Sequence, residues 1–231
     1  SEMHINPDLY KSELHSDPWP HIIVDDFFTE DTWNKLKQIP SYLLTDCPNE
    51  MLSKYRQKAI DNKVGGYVFD VRNLIDSGVP EDIVETYWDA CSELLDNREK
   101  IWELFPEHRE GEKYAMSACL NLDFKGNTFP RHPDTITKSI SFVCYLSPEE
   151  STGTVLHEDD TSDSMRKEME WKPNRCTVFC PNQDTWHSFS CEETEHRMVF
   201  AIFVERMDKK QFTEKYYFTS GKIAEFKYKV K

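Results

Sequence analysis

The sequence predicts an α+β protein that is mainly β, with helices in its first half and short strands in its second. Two observations carry that prediction. From Pro80 the apolar residues Ile83, Val84, Tyr87, Trp88, Cys91, Leu94 and Leu95 recur at helical spacing. From Lys113 onward the chain breaks into short apolar segments separated by turn residues, the pattern of strands. No internal repeat and no low-complexity linker divides the chain, so residues 1–231 read as one domain.

Residues 17–28 combine a Pro-Trp-Pro turn signal with the β-branched run Ile22-Ile23-Val24, which reads as a strand. Thr29 is a suitable N-cap, with Glu30 and Asp31 in the first turn of a helix through Trp33, Leu36 and Ile39 that Pro40 stops. Residues 41–64 are polar and irregular, and no element is assigned to them. Gly65-Gly66 predicts a turn and Tyr67–Val71 a strand. The amphipathic helix after Pro80 has proline in its first turn. A second helical piece covers Glu99 to Phe105 and ends at Pro106. This strand–helix support, residues 17–110, braces a sheet from one side.

The predicted strands are Tyr114–Phe124, the His132 segment after a Lys125-Gly126-Asn127 turn, and Lys138–Leu146 before Ser147-Pro148. Gly153–Leu156 follows, then an acidic loop from His157 to Glu170, Cys176–Cys180, Trp186–Ser190 and His196–Glu205. Short strands with turn signals behind a helical section predict a double-stranded β-helix, the jelly-roll or cupin-like architecture, over about 113–206. A basic extension, 207–231, carries Lys209, Lys210, Lys215, Lys222, Lys227, Lys229 and Lys231 and reads as a solvated tail.

Composition narrows the function classes. A net charge of -14 argues against nucleic acid as a partner. No apolar run approaches the roughly 18 residues of a membrane helix. The seven cysteines are an odd number, several lie in apolar runs as small buried hydrophobes, and no signal peptide precedes them. A reducing, cytoplasmic setting is the expectation.

The chemistry concentrates between Phe129 and Phe142. His132 and Asp134 stand two apart at the start of an apolar segment, and in extended chain i and i+2 share a face. Two ligands on one face leave the other side of a metal open. His187, beyond a long insertion, supplies a third, and two histidines with one carboxylate form the facial triad of non-haem Fe(II) oxygenases. A second His-x-Asp, His157-Glu158-Asp159, opens a polar loop and reads as solvated. Cys176, Cys180, His187 and Cys191 would form a zinc site, but Cys176 and Cys180 alternate in a strand-like run and read as core. His4, His15, His21, His108 and His196 read as structural or surface residues.

These residues, in this order, resemble the prolyl-4-hydroxylase-like branch of the Fe(II)- and 2-oxoglutarate-dependent dioxygenases. His132-Pro133-Asp134 matches the family's His-x-Asp. Ser141–Ser147 with Gly153–Leu156 resembles its central strand pair, and Pro173–Phe179 leading to Trp186-His187 resembles the segment bearing the distal histidine. Arg197, ten residues after His187, stands where the family places the arginine that binds the co-substrate. Pro18 to Phe27 resembles the family's opening segment.

The resemblance implies Fe(II) held by His132, Asp134 and His187, with 2-oxoglutarate and O2 as co-substrates and ascorbate as a further candidate. It implies that Arg197 pairs the far carboxylate of 2-oxoglutarate, provided that residues 186–190 and 196–204 form a hairpin. It also makes Tyr145 a hydroxyl donor to that carboxylate, and Asn121 a cofactor contact. The implied reaction is hydroxylation of an unactivated carbon in a small molecule or a peptidyl or prolyl side chain, with release of succinate and CO2. Leu122 and Asp123 stand where some prolyl hydroxylases carry a tyrosine, which leaves the substrate unassigned. The reading from another class is a cupin-like metal-binding or sensing module without turnover. A metal isomerase of the same fold would want an acid–base pair that the sequence does not show. The acidic loop is a candidate lid whose charge suits a cationic or neutral substrate.

Overall fold

The segments after Lys113 fold into strands that alternate between two antiparallel sheets. The computed structural model describes residues 3–62, 65–106, 114–135, 137–164 and 166–206; His108 and the basic extension lie outside them. Ten strands are assigned among these residues. They are β1 (Ile22–Val24), β2 (Tyr67–Asp70), β3 (Tyr114–Phe124), β4 (Thr128–His132) and β5 (Lys138–Ser147), then β6 (Val155–His157), β7 (Arg166–Glu168), β8 (Cys176–Phe179), β9 (His187–Ser190) and β10 (His196–Arg206). The larger sheet has the order β1-β8-β5-β10-β3-β2 and the smaller one β4-β9-β6-β7. From β3 to β10 the chain thus crosses between the sheets, and the result is the double-stranded β-helix.

Among the described residues five α-helices accompany the sheets: α1 (Glu30–Leu36), α2 (Asn49–Asp61), α3 (Val71–Asp76), α4 (Glu81–Asp96) and α5 (Arg98–Trp102). The periodic stripe read after Pro80 is the buried face of α4, and its Tyr87 donates from Oη to the Cys119 carbonyl of β3 at 2.7 Å. Tyr87 also packs on Phe200 of β10, with ring centroids 4.7 Å apart. Each large apolar side chain so buried contributes about 1.5–3 kcal/mol. α4 therefore covers the outer face of the larger sheet and leaves the inner face to the site. Among the described residues, no helix is long and apolar enough to cross a membrane.

Register decides which side chains face inward. β10 pairs β3 and β5 at once, so Val199 lies between Asn121 and Tyr145, and Ala201 between Cys119 and Val143. Arg197 lies opposite Asp123, on the same inward face.

Several expectations need correction. Residues 41–64 contain a turn of π-helix at Ser41–Thr45 and all of α2. The buried stripe of α2 is only Tyr55 and Ala59, too narrow to register as amphipathic in a polar segment. Pro40 does not end α1; it caps the π turn that follows. The strand after Gly66 stops at Asp70, because Asp70 and Asn73 form a reciprocal capping box that starts α3 at Val71. The acidic loop includes β7, a charged edge strand paired to β6 whose composition hides it. β5 and β6 belong to different sheets, and so do β9 and β10, so the expected hairpin of residues 186–204 does not form.

Candidate metal and anion site

β4 and β9 pair so that His132 lies directly across from His187, after an irregularity in the register between Phe129 and His132. Their imidazole centroids are 4.2 Å apart. Asp134 is placed by a turn and not by strand alternation. It lies just past the end of β4 with φ +67°, a left-handed conformation that Asp tolerates better than most residues. One ligand atom from each of the three residues falls within 4.8 Å of the others. Among the described residues this is the one group of histidine, cysteine or carboxylate side chains close enough to share a metal ion.

The hydrogen bonds set the tautomers. Nδ1 of His132 lies 2.8 Å from the Pro130 carbonyl, and Nδ1 of His187 lies 2.7 Å from the Thr185 carbonyl. A carbonyl only accepts, so each ring carries its proton on Nδ1 and turns the bare lone pair of Nε2 inward. Both Nε2 atoms face Asp134 Oδ1, at 3.3 and 3.6 Å. Lone pairs facing a carboxylate repel unless a cation or a proton stands between them. Backbone carbonyls holding Nδ1–H are the usual support of metal-bound histidines.

Burial pushes the His187 imidazole down to about 4 against the attraction of Asp134, so the ring is neutral near pH 7. Burial works to raise the Asp134 carboxyl, but contacts with His132, His187 and Lys138 outweigh it and hold the group well below the usual carboxylate range. Ser141 Oγ and Lys138 Nζ donate to Asp134 at 3.0 and 3.4 Å. Asp134 is therefore an ionised carboxylate beside His132 and the neutral His187 imidazole, the donor set of a divalent transition metal.

These side chains line one end of a cavity of about 440 Å³, within the range of small-molecule sites. Asn121, Thr154 and Arg197 line the same cavity. Arg197 is completely buried, and its Nε donates to the Thr152 carbonyl at 2.8 Å. Its guanidinium is enclosed by the rings of Phe189, Trp171 and Tyr145, at 4.7, 5.2 and 5.6 Å. Nη1 and Nη2 have no hydrogen-bond partner among the described residues. A charged donor pair left open among aromatic rings fits a carboxylate.

The structure thus gathers five of the six sequence-predicted residues, His132, Asp134, His187, Arg197 and Asn121, around one cavity. Tyr145 sits behind it, stacked on Trp171 with ring centroids 4.3 Å apart. The Tyr145 hydroxyl accepts from Thr154 N at 2.7 Å and donates to Thr154 Oγ1 at 3.1 Å. His157 is buried, not solvated, because its Nε2 bonds Ser188 Oγ at 2.8 Å, and Asp159 turns away to Thr161. All seven cysteines are free, and six are buried. His21 and His187 are buried as well, His21 with its Nδ1 on the Trp19 carbonyl. Sequence reasoning missed Lys138 and Thr154 beside the site, and Asp123 beside Arg197. Asp123 had a signal: two residues beyond Asn121 on one strand, it had to face the same way.

No protein-family model matches the sequence, and no curated protein matches it. Solved structures do match in fold. A prolyl-4-hydroxylase from Pseudomonas putida aligns over 87% of this chain and 96% of its own, at 16% identity and a TM-score of 0.52. The auxin dioxygenase of Arabidopsis thaliana, solved with 2-oxoglutarate, aligns over 84% of this chain and 85% of its own, at 13% identity and a TM-score of 0.56. A prolyl hydroxylase of Trichoplax adhaerens, in complex with a hypoxia-inducible-factor peptide, aligns over 84% and 86%, at 12% identity and a TM-score of 0.54. The shared feature is the double-stranded β-helix with its preceding helices, over most of each chain.

Proposed function

We propose that this chain is an Fe(II)- and 2-oxoglutarate-dependent dioxygenase that hydroxylates an unactivated carbon. The carrying observation is that one cavity is lined by the His132, Asp134 and His187 group and by a buried guanidinium whose Nη1 and Nη2 have no hydrogen-bond partner among the described residues. A metal binder without turnover has no need of the guanidinium, which weighs against the cupin-like sensing module.

In this reading His132, Asp134 and His187 would hold Fe(II), the donor set of a non-haem iron site. Arg197 takes the far carboxylate of 2-oxoglutarate, and the aromatic rings around it exclude water. The bound iron with 2-oxoglutarate supplies the oxidative chemistry. One oxygen atom of O2 enters the substrate C–H bond and the other enters succinate, with loss of CO2. The presence of Asp134 favours hydroxylation over halogenation, since no place for halide opens where a carboxylate ligand stands.

Val68, Phe203 and Lys138 also line the cavity, and the exposed Val68 side chain marks a way in for substrate. One relative in fold binds a peptide and another, by its name, oxidises auxin, so peptidyl and small-molecule substrates are both carried forward. The seven free thiols support a reducing, cytoplasmic setting.

Anaerobic titration with Fe(II) and 2-oxoglutarate tests the reading. A weak visible charge-transfer band is expected in the wild type, and His132→Ala and Arg197→Ala should weaken or abolish it. Iron binding without the band would favour the sensing module, and absence of metal binding would sink both.

A further inference from the structure

Asp123 is the residue beside the cavity that this chemistry does not use. It is fully buried, and neither carboxylate oxygen has a hydrogen-bond partner among the described residues. Its Oδ2 lies 3.9 Å from Arg197 Nη1, too far for a hydrogen bond and close enough for strong attraction. On the β2 side Gly66 approaches so tightly that a Cβ there would fall 2.6 Å from Asp123 Oδ1. Two opposite charges have been taken out of water together, yet neither is satisfied by the other.

The groups facing Asp123 are few. β10 brings Arg197, and the turn before it brings the Cys191 thiol, which burial pushes up and keeps uncharged. The β2 side brings the Gly66 backbone. Further out, Arg56 of α2 lies over the Phe124 ring, and His196 bonds Ser147. Arg197 is thus the charge that holds Asp123 ionised.

We propose that Asp123 is the resident counter-ion of Arg197, and that binding of a carboxylate at Arg197 is coupled to uptake of one proton by Asp123. The inference rests on the reading of Arg197 as the co-substrate clamp. Without ligand, Asp123 balances the guanidinium at a distance and leaves its Nη donors open. When the far carboxylate of 2-oxoglutarate arrives, two carboxylates compete for one cation, and one of them must give up its charge. The ligand forms the hydrogen bonds, so Asp123 is the one that takes a proton from solvent. Burial has already pushed its carboxyl up to about 6 against the pull of Arg197, so little more is needed near neutral pH. Co-substrate affinity then weakens about tenfold per pH unit above that value, until the pKa of Asp123 in the complex is reached.

The test is calorimetric titration of 2-oxoglutarate into protein loaded with Zn(II), which is redox-inert, in two buffers of different ionisation enthalpy at about pH 7.5. Wild type should take up about one proton per co-substrate bound. Asp123→Asn should take up none, and its affinity should be flat across pH. If that variant does not fold, the wild-type proton count decides alone. Binding that Arg197→Leu abolishes, but that takes up no proton in wild type, overturns this inference and leaves the clamp standing. No 2-oxoglutarate binding to Zn(II)-loaded protein, or binding indifferent to Arg197→Leu, overturns the clamp and this inference with it.

Discussion

The two ends of the cavity have opposite unmet demands. At the β4–β9 end, the Nε2 atoms of two imidazoles face an ionised carboxylate whose cationic contact is Lys138 Nζ at 3.4 Å, a donor set suited to a metal. At the β10 end, a guanidinium offers Nη1 and Nη2, which have no hydrogen-bond partner among the described residues. Each end contains a buried aspartate, yet the two are pushed in opposite directions. Asp134, beside His132, His187 and Lys138, is held ionised; Asp123, given only a distant guanidinium, is pushed toward its neutral form. Burial is common to both, so the difference lies in the number of close contacts that favour the charged form, several at Asp134 and one at Asp123. A ligand that chelates a metal at one end and presents a carboxylate at the other answers both demands.

The largest effect expected is at the metal end. His187→Ala or Asp134→Ala removes one of three protein ligands and should abolish stable Fe(II) or Zn(II) binding, measured by metal retention after desalting. Both variants should keep the far-ultraviolet circular dichroism of the wild type, since neither side chain belongs to the main hydrophobic cluster. Retained metal in both would break the comparison at its first term.

Next in size is Arg197→Leu. Metal binding should survive, while affinity for 2-oxoglutarate should fall about 100-fold, as for truncation of a buried charged partner. The variant also strands Asp123, so a stability loss is expected that Arg197→Leu with Asp123→Asn largely restores. An Arg197→Leu protein that binds metal and co-substrate equally well would show that the two ends are unrelated.

The ends should also titrate with opposite sign in the metal-free protein. For His187, pushed from 6.5 down to about 4, the stabilising neutral form is fully present above pH 6.5 and its contribution is lost as pH falls toward 4. Asp123 moves the other way, from 3.8 up to about 6, so its contribution is present below 3.8 and lost as pH rises toward 6. Between pH 4 and 6 the two slopes oppose each other. Asp123→Asn should steepen the rise of stability with pH by up to about 1.4 kcal/mol per unit, and His187→Gln should flatten it equally. His21, also pushed down to about 4, adds to the rise in every variant and does not distinguish them. Urea unfolding at several pH values measures the slopes.

This contrast also marks what the sequence could say. His132, Asp134 and His187 were legible because a triad needs fixed residue types in a fixed order. Arg197 was legible through the resemblance, although the hairpin expected to bring it in does not exist: it reaches the cavity from the opposite sheet. Strands with alternating apolar residues, such as β3 and β5, were legible to within a residue or two. α2 and β7 were not, because one buries only Tyr55 and Ala59 and the other is the charged edge Arg-Lys-Glu. Asp123 was visible as a departure from the family pattern, but its meaning needed the β3–β10 register, a contact between residues far apart in the chain.

Tyr145 gives the smallest effect and separates clamp from scaffold. Its ring borders Arg197, but both hydrogen bonds of its hydroxyl go to Thr154, whose backbone N–H has that oxygen as its acceptor. Thr154 lines the cavity, and the neighbouring Gly153 lies so close to the Met169 carbonyl that a Cβ would fall 1.6 Å from it. The hydroxyl thus fixes the strand start that walls the Arg197 end. Tyr145→Phe leaves the Thr154 N–H without its buried partner and should cost about 1–3 kcal/mol of stability. If the hydroxyl serves the wall, affinity for 2-oxoglutarate should change less than about threefold, because the guanidinium still makes the charged contacts. If it swings to the bound carboxylate instead, the variant should lose affinity about tenfold and lose little stability. Thermal unfolding and co-substrate titration on the same Zn(II)-loaded sample decide between the two.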